Sequence, residues 1–573
     1  MKNSLLALCL ALIAVSCYRT SPKYADGQSA TKPAHPPAPA AIISEHYAKR
    51  KAATNALRFA PPVVANDMMM EKAPALEQEK KEDIARDALE PAESEQYNPI
   101  VENPFQDTKQ ANISTFSIDV DAASYANVRR FLNDGMLPPK DAVRIEEMIN
   151  YFDYQYNTPR AQHPFEVYTE VAPCPWEPKH RLLLVGLQGK TVDTGQLPAS
   201  NLVFLLDVSG SMNAPDKLPL VQQSLSLLTD QLRPNDRVAI VVYAGAAGLV
   251  LESTPGTEKS KIKAAIGELS AGGSTAGGEG VRLAYATARK NFIPNGNNRV
   301  ILCTDGDFNV GVSSENELVK LIEKERESGT YLTVLGFGTG NYQDGKMQSL
   351  ADKGNGNHGY IDGLSEAKKM LVREFGGTLF TIAKDVKLQL HFNPQQVAGY
   401  RLIGYENRLL ATEDFHDDTK DAGEMGAGHR VTALYELIPT GQSLPPLSKL
   451  DSALIVTAQP DKSLKINADD LFVVQLRYKQ PTGSAPSQLL EYRLNAAALD
   501  RRDESENFKL ASAVAEFGLL LRDSKFKGSA TYARALTRAR EAAKNDSGGY
   551  RAELAELIEK AGRLAAKETA GRK

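Results

Sequence analysis

Between residues 201 and 375, short apolar runs alternate with segments of helical period. The runs are rich in valine, leucine and isoleucine and are apolar on both faces, which is typical of parallel strands that helices cover on both sides. This alternation predicts a doubly wound, mostly parallel α/β sheet. Its strands are expected at 201–206, 237–243, 299–304 and 331–337, and its helices at 218–232, 280–292, 315–327 and 366–375.

Runs of period two lie on both sides of this region. They occur at 165–171 and 181–188 before it, and at 386–392, 431–437, 472–478 and 490–494 after it. Such alternation is typical of strands with one buried face. We therefore expect an antiparallel β domain into which the α/β domain is inserted, with helical regions at both ends of the folded chain.

These patterns divide the 573 residues into segments, since one hydrophobic core cannot serve a chain of this length. The predicted segments are a signal peptide (1–16), a lipid-anchored flexible linker (17–102), an N-terminal helical region (103–160), strands of the β domain (161–197), the α/β domain (198–380), the rest of the β domain (381–500) and C-terminal helices (501–573).

The N-terminus predicts export. An apolar run from Leu5 to Val15 is too short to span a bilayer and is typical of a signal peptide. The run leads into AVSC, which resembles the bacterial lipobox and implies acylation of Cys17; ordinary cleavage near Ser16 is the alternative. A lipid on Cys17 would anchor the protein in the cell envelope, at the outer membrane, with its body on the periplasmic or surface face. Cys174 and Cys303 are expected to be free thiols.

The charge balance argues against nucleic acid as a partner. The formal net charge is -4, so the chain lacks the positive electrostatic potential that attracts the phosphate backbone of a nucleic acid. The chain also has no G-x-S-x-G, H-E-x-x-H or phosphate-binding loop, and the sequence indicates no small-molecule substrate. Binding through a discrete site is therefore the favoured class of function.

Oxygen-bearing side chains gather where the strands of the α/β domain are predicted to end. DVSGSM supplies Asp207, Ser209 and Ser211, GGSTAGGEG supplies Thr275, and TDGD supplies Asp305. Loops at the carboxyl ends of parallel strands share one edge, so these side chains can converge. Hydroxyls and carboxylates without histidine or cysteine favour Mg²⁺, or Mn²⁺ or Ca²⁺, over zinc. The sequence therefore predicts a divalent metal site.

These motifs resemble the metal-ion-dependent adhesion site of the von Willebrand factor type A domain. The resemblance implies that Ser209, Ser211 and Thr275 bind the metal directly. It implies that Asp207 and Asp305 act mainly through water. STFSIDVDAASYANVRRFLN, DAVRIEEMINYFDY and YRLIGYENR extend the likeness to bacterial YfbK-type lipoproteins, from about residue 103 to 565.

The leading hypothesis is a membrane-anchored protein that is not an enzyme and that binds an acidic group of a protein partner through its metal. One alternative is an accessory subunit that helps assemble an envelope complex. A metal-assisted hydrolase is the less favoured alternative, because the motif offers no adjacent histidine or lysine as a base.

Overall fold

The computed structural model describes residues 95–571, apart from 119–120, 160–162, 194, 196, 274–276, 307–314, 375–379, 421, 447–450, 452–463, 482–485 and 547. The predicted signal peptide and Cys17 lie outside the described residues, as does the predicted linker up to residue 94. Among the helices of the described ranges, none has the length and apolar character needed to cross a membrane.

Strands and helices are numbered here in chain order. The strands are β1 (Gln106–Asp107), β2 (Ile113–Ser117), β3 (Phe165–Pro173), β4 (Arg181–Gly189), β5 (Ser200–Asp207), β6 (Arg237–Tyr243), β7 (Ala247–Pro255), β8 (Asn297–Thr304), β9 (Thr330–Phe337), β10 (His358–Ile361), β11 (Thr381–Phe392), β12 (Val397–Ile403), β13 (Gly423–Gly426), β14 (Arg430–Pro439), β15 (Asp470–Lys479) and β16 (Gln488–Asn495). The helices are α1 (Ala123–Asn133), α2 (Ile145–Asn150), α3 (Leu218–Gln231), α4 (Lys259–Gly267), α5 (Gly277–Lys290), α6 (Glu315–Glu327), α7 (Asp344–Lys353), α8 (Leu364–Lys368), α9 (Glu506–Leu521), α10 (Tyr532–Ala542) and α11 (Tyr550–Gly571).

A six-stranded sheet with the order β10-β9-β8-β5-β6-β7 forms the centre of the α/β domain. Its neighbouring strands are parallel, except that β7 runs antiparallel to β6 at one edge. Successive residues of β5 face two different cores: Val203 and Leu205 belong to one, Phe204 and Leu206 to the other. Both faces are thus covered, and the predicted doubly wound sheet is confirmed.

Two five-stranded antiparallel sheets form a second unit, the β frame. Their orders are β1-β12-β14-β4-β3 and β13-β11-β15-β16, and β2 pairs with β11. β4 precedes the α/β domain in the chain and β14 follows it, yet the two are paired, with Leu184 opposite Leu434. The apolar faces of the two sheets share one core. The predicted insertion of the α/β domain into an antiparallel β domain is therefore confirmed.

The helices from the two ends of the folded chain pack together. Residues of α1 and α2, such as Tyr125 and Ile145, share a core with residues of α9 and α11, such as Phe508 and Leu554. Gly518 of α9 allows a close approach to α2, because a Cβ there would overlap Ile145. Helical N- and C-terminal regions are thus confirmed, although the N-terminal region also supplies strands β1 and β2.

The described chain begins inside the segment predicted as linker. The Gln96 N–H donates to the Tyr342 carbonyl (3.0 Å), and the Asp344 N–H donates to the Gln96 carbonyl (3.1 Å). The ring centroid of Tyr97 lies 6.0 Å from that of Tyr342. Gln96 and Tyr97, which lie in the segment predicted as linker, are therefore attached to residues 342–344.

Candidate metal centre

Asp207 is the last residue of the central strand β5. In the parallel register it lies beside Tyr243, the last residue of β6, and the preceding residue Leu206 lies beside Cys303 of β8. The carboxyl ends of these strands therefore meet at one edge of the sheet, as the sequence predicted. Asp207 is fully buried there.

The carboxylate of Asp207 is held by neutral donors. Oδ1 accepts from the Ser209 N–H (2.9 Å), and Oδ2 accepts from the hydroxyls of Tyr243 (3.1 Å) and Thr304 (3.2 Å). Burial raises the pKa of Asp207, the bonds from Ser209 oppose that rise, and the negative charge of Asp305 adds to it. A buried carboxylate whose described partners are neutral is poorly compensated, and a bound cation would supply the missing charge.

The two serines lie next to each other in the turn that follows Asp207. Ser209 and Ser211 lie at the 3₁₀ turn that follows β5, and their hydroxyl oxygens are 3.1 Å apart. The Gly210 N–H donates to the Gly273 carbonyl (3.0 Å), which brings the loop before α5 against this turn. Thr275 follows in that loop but lies outside the described residues, so its predicted role stays a prediction.

Asp305 directly follows β8 and is fully buried. Its Oδ2 accepts from the ammonium of Lys217 at 2.8 Å, and the Lys217 side chain is only 9% exposed. Lys217 immediately precedes α3 in the chain. The motif itself offers no adjacent lysine, but the chain between the serines and α3 folds back and brings Lys217 to the end of β8.

The loop after β9 forms the back of the site. Gly338 in this loop has φ +70°, and a Cβ there would overlap the aliphatic chain of Lys217. Gly306, beside Asp305, has φ +102°, and a Cβ there would overlap the backbone from Asn341 to Gln343. Both positions combine a left-handed backbone with close packing, so only glycine fits without strain.

The start of the described chain touches the same loop. The Gly340 N–H donates to the carboxylate of Glu95 (3.1 Å), whose other oxygen accepts from Arg130 (2.8 Å). Together with the bonds of Gln96 to Tyr342 and Asp344, this contact fixes residues 95–97 beside the metal-site edge.

The donor set fits a hard divalent cation. Asp207, Asp305, Ser209 and Ser211 offer carboxylate and hydroxyl oxygens, which suit Mg²⁺, Mn²⁺ or Ca²⁺. In the described ranges, no group of three or more histidine, cysteine, aspartate or glutamate side chains is placed to hold a metal.

The sequence interpretation missed three polar residues of this site. Tyr243 and Thr304 are the last residues of buried strands that flank β5, so a polar residue ending an apolar run was the available signal. Lys217 gives no comparable signal, because its contact with Asp305 joins residues 88 positions apart in the chain.

Family models match three parts of the chain. The model described as von Willebrand factor type A domain matches residues 201–372, the one described as von Willebrand factor matches 91–184, and the one described as Uncharacterized protein YfbK, C-terminal, matches 377–564. Together the matches include the α/β domain and much of the β frame.

Several proteins are similar to this chain. The Uncharacterized protein YfbK of Escherichia coli (strain K12) is 44% identical over 472 residues, which cover 81% of this chain and 80% of that protein. The Uncharacterized protein sll0103 of Synechocystis sp. is 29% identical over 187 residues, which cover 33% of this chain and 43% of that protein. Among solved structures, von Willebrand factor type A from Catenulispora acidiphila is 19% identical, with a TM-score of 0.40, over 70% of this chain and 91% of that chain.

Proposed function

The chain belongs to the YfbK family, and from this premise we propose that it is an exported, lipid-anchored protein that binds a protein partner through a divalent metal. The metal is Mg²⁺, or Mn²⁺ or Ca²⁺, held by Asp207, Ser209, Ser211, Thr275 and Asp305. The partner supplies an acidic side chain to the metal. The protein acts in the cell envelope, with Cys17 carrying the lipid.

One observation carries the proposal: two fully buried carboxylates, Asp207 and Asp305, face one sheet edge together with two adjacent hydroxyls. Among Asp207, Asp305 and Lys217 the formal charges leave one negative charge in a buried site. Burying an uncompensated charge is costly, so a structural role alone would favour neutral side chains at these positions. A cation-binding role explains why carboxylates are present.

We propose binding rather than catalysis. The basic group at the site, Lys217, is buried and already hydrogen-bonded to Asp305. A general base needs a free lone pair within reach of the proton that it removes. An ammonium engaged in this way is unsuited to that role, whereas an open metal position suits a carboxylate ligand.

The test compares the melting temperature of the full-length protein, purified in detergent, with Mg²⁺ and with a chelator. Free Mg²⁺ at about ten times its dissociation constant adds about 1.4 kcal/mol to the free energy of unfolding. For a domain of this size, that corresponds to a rise of about 3–6 °C. We expect the wild-type protein to show this rise and Asp207→Ala to lose it.

Asp230→Ala is the matched control. Asp230 lies in the same domain, is exposed and pairs with Lys263 at the surface, so its removal leaves the metal site intact. This variant should keep the full Mg²⁺ shift. The site assignment fails if the wild-type protein and Asp207→Ala melt alike under both conditions.

Capture from detergent-solubilised membranes addresses the partner. With the wild-type protein as bait, a bound protein should be released when Mg²⁺ is removed. The same protein should not bind the Asp207→Ala bait. Equal capture with and without Mg²⁺ would contradict recognition through the metal.

A further inference from the structure

We propose that Lys217 is a built-in competitor for the metal: it weakens divalent cation binding and gives the loaded site a net positive charge that selects an anionic partner group. The inference rests on the proposed function and extends it to the control of the same site. It assigns control of cation affinity to Lys217, a residue outside the five predicted ligands.

The position of Lys217 is well defined. Its ammonium donates to Asp305 Oδ2 at 2.8 Å, and its aliphatic chain packs against the backbone of Gly338. The side chain of Asp305 is 0% exposed and that of Lys217 is 9% exposed, so solvent screens the pair weakly. In the structure, Lys217 is therefore held at the site by an ion pair and by packing.

Two effects oppose a lysine at this position, and the ion pair with Asp305 offsets them. Lys217 directly precedes α3, where the helix dipole favours negative charge over positive charge. Its ammonium also loses hydration on burial. An apolar side chain would fill the space between Gly338 and Asp305, but it would remove the ion pair of the buried Asp305. The charge of Lys217, rather than its size, is therefore the feature that matters at this site.

The first consequence concerns the metal. A divalent cation that enters the site interacts with Asp207 and Asp305, and it must also approach the ammonium of Lys217. Repulsion between these cations in a buried environment opposes loading, and the bond between Lys217 and Asp305 satisfies in advance one carboxylate that the metal would use. Lys217 therefore lowers the affinity for the cation and stabilises the metal-free site.

The second consequence concerns the ligand. Without Lys217, the formal charge of a divalent cation would equal and oppose that of Asp207 and Asp305 together. With Lys217, the loaded site carries one excess positive charge among these groups. An anionic group bound to the metal removes that excess, so the metal and the anion bind cooperatively, and each raises the affinity for the other.

The experiment titrates Mg²⁺ into the full-length protein in detergent and follows the heat of binding. Lys217→Met removes the charge and keeps the length of the side chain. We expect Mg²⁺ to bind this variant at least about tenfold more tightly than the wild-type protein. Sodium acetate, compared with sodium chloride at equal ionic strength, should tighten Mg²⁺ binding to the wild-type protein more than to Lys217→Met.

Lys290→Met is the matched control. Lys290 is 69% exposed and ends α5, about 20 Å along the helix from the loop that precedes it. It makes the same change in net charge and should leave Mg²⁺ affinity unchanged. Lys217→Gln, which also lacks the charge, replaces Lys217→Met if that variant does not fold.

The outcomes separate this inference from the proposed function. If Mg²⁺ does not bind the wild-type protein, the metal site itself is wrong. If Mg²⁺ binds the wild-type protein and binds the Lys217 variant equally or more weakly, the competitor role is wrong while the metal site stands. Tighter binding to the Lys217 variant, with a weaker effect of acetate, supports the inference.

Discussion

Replacing Glu436 with glutamine should destabilise the β frame strongly. Glu436 is buried on β14, where it accepts hydrogen bonds from Arg401 (2.9 Å), His180 (2.6 Å) and the indole of Trp176 (3.2 Å). Arg401 is 2% exposed, so the substitution leaves a buried guanidinium without its carboxylate. Breaking a buried pair in this way costs about 3–5 kcal/mol. The rings of Phe105 and Phe526 lie against Arg401 and offset part of that cost, so we expect about 3 kcal/mol.

The assay is urea unfolding followed by the fluorescence of Trp176, the single tryptophan of the chain, which is fully buried. Glu252→Gln is the control; its exposed pair with Lys290 should change stability by less than about 0.5 kcal/mol. A loss below about 1 kcal/mol for Glu436→Gln at neutral pH would refute the reasoning.

The same variant gives a pH test. Burial opposes the ionisation of Glu436, but the hydrogen bond from His180 and the charge of Arg401 outweigh it and hold the pKa of Glu436 below its usual value of 4.5. A carboxyl with a lowered pKa stabilises the fold above its unfolded pKa and loses that contribution as the pH falls through its folded pKa. The free energy of unfolding of the wild-type protein should therefore approach that of Glu436→Gln as the pH is lowered below 4.5. If the two free energies of unfolding differ by the same amount at every pH, the charge of Glu436 is not the cause of the lost stability.

Two further predictions concern the helical core and the thiols. Arg129 on α1 donates to Asp362 (2.7 Å), Glu366 (2.7 Å) and Glu553 (3.1 Å). Arg129→Met should lower the free energy of unfolding, measured by heat or urea, by about 3 kcal/mol. Arg282→Met removes an exposed ion pair with Glu317 whose atoms are 3.9 Å apart, and it should lower that free energy by less than about 0.5 kcal/mol. Cys174 and Cys303 are buried free thiols whose pKa burial raises. They should therefore resist a thiol reagent in the native protein and react when it unfolds in urea; rapid labelling of the native protein would contradict their burial.

The sequence predicted the parts of the α/β domain in which burial produces a continuous apolar run. β5 was expected at 201–206 and is buried along its whole length, and β6 matches the predicted range 237–243. β7 was not predicted. It lies at the edge of the sheet, alternates poorly between exposed and buried residues, and so carries no clear period. β10 has only four residues, too few for a periodic signal.

β2 shows a different reason for failure. All of its residues are buried although serine and threonine occupy several positions. Ser114 bonds the hydroxyl of Tyr435 (2.9 Å), and Thr115 accepts from Gln389 (2.8 Å). These polar residues are satisfied by strands about 270–320 positions away. A pattern of apolar residues cannot reveal a strand whose burial depends on such distant hydrogen bonds.

The candidate site also contains residues that the sequence predicted and a residue that it did not. Asp207, Ser209, Ser211 and Asp305 were predicted because they lie at or shortly after the ends of recognisable strands, and the structure places these four at one edge. Lys217 was missed because its position at the site depends on how the chain turns between the serines and α3. Charge compensation by a residue distant in sequence is a tertiary property that local spacing does not encode.

The attachment of Gln96 to the loop after β9 sets the route that mechanical load would take. Under the proposed anchoring at Cys17, a pull on a bound partner is resisted from residues that precede Glu95. That tension enters the fold through the bonds of Gln96 to Tyr342 and Asp344 and of Glu95 to Gly340. Load on the described chain would therefore reach the fold first at the loop after β9, next to the metal edge.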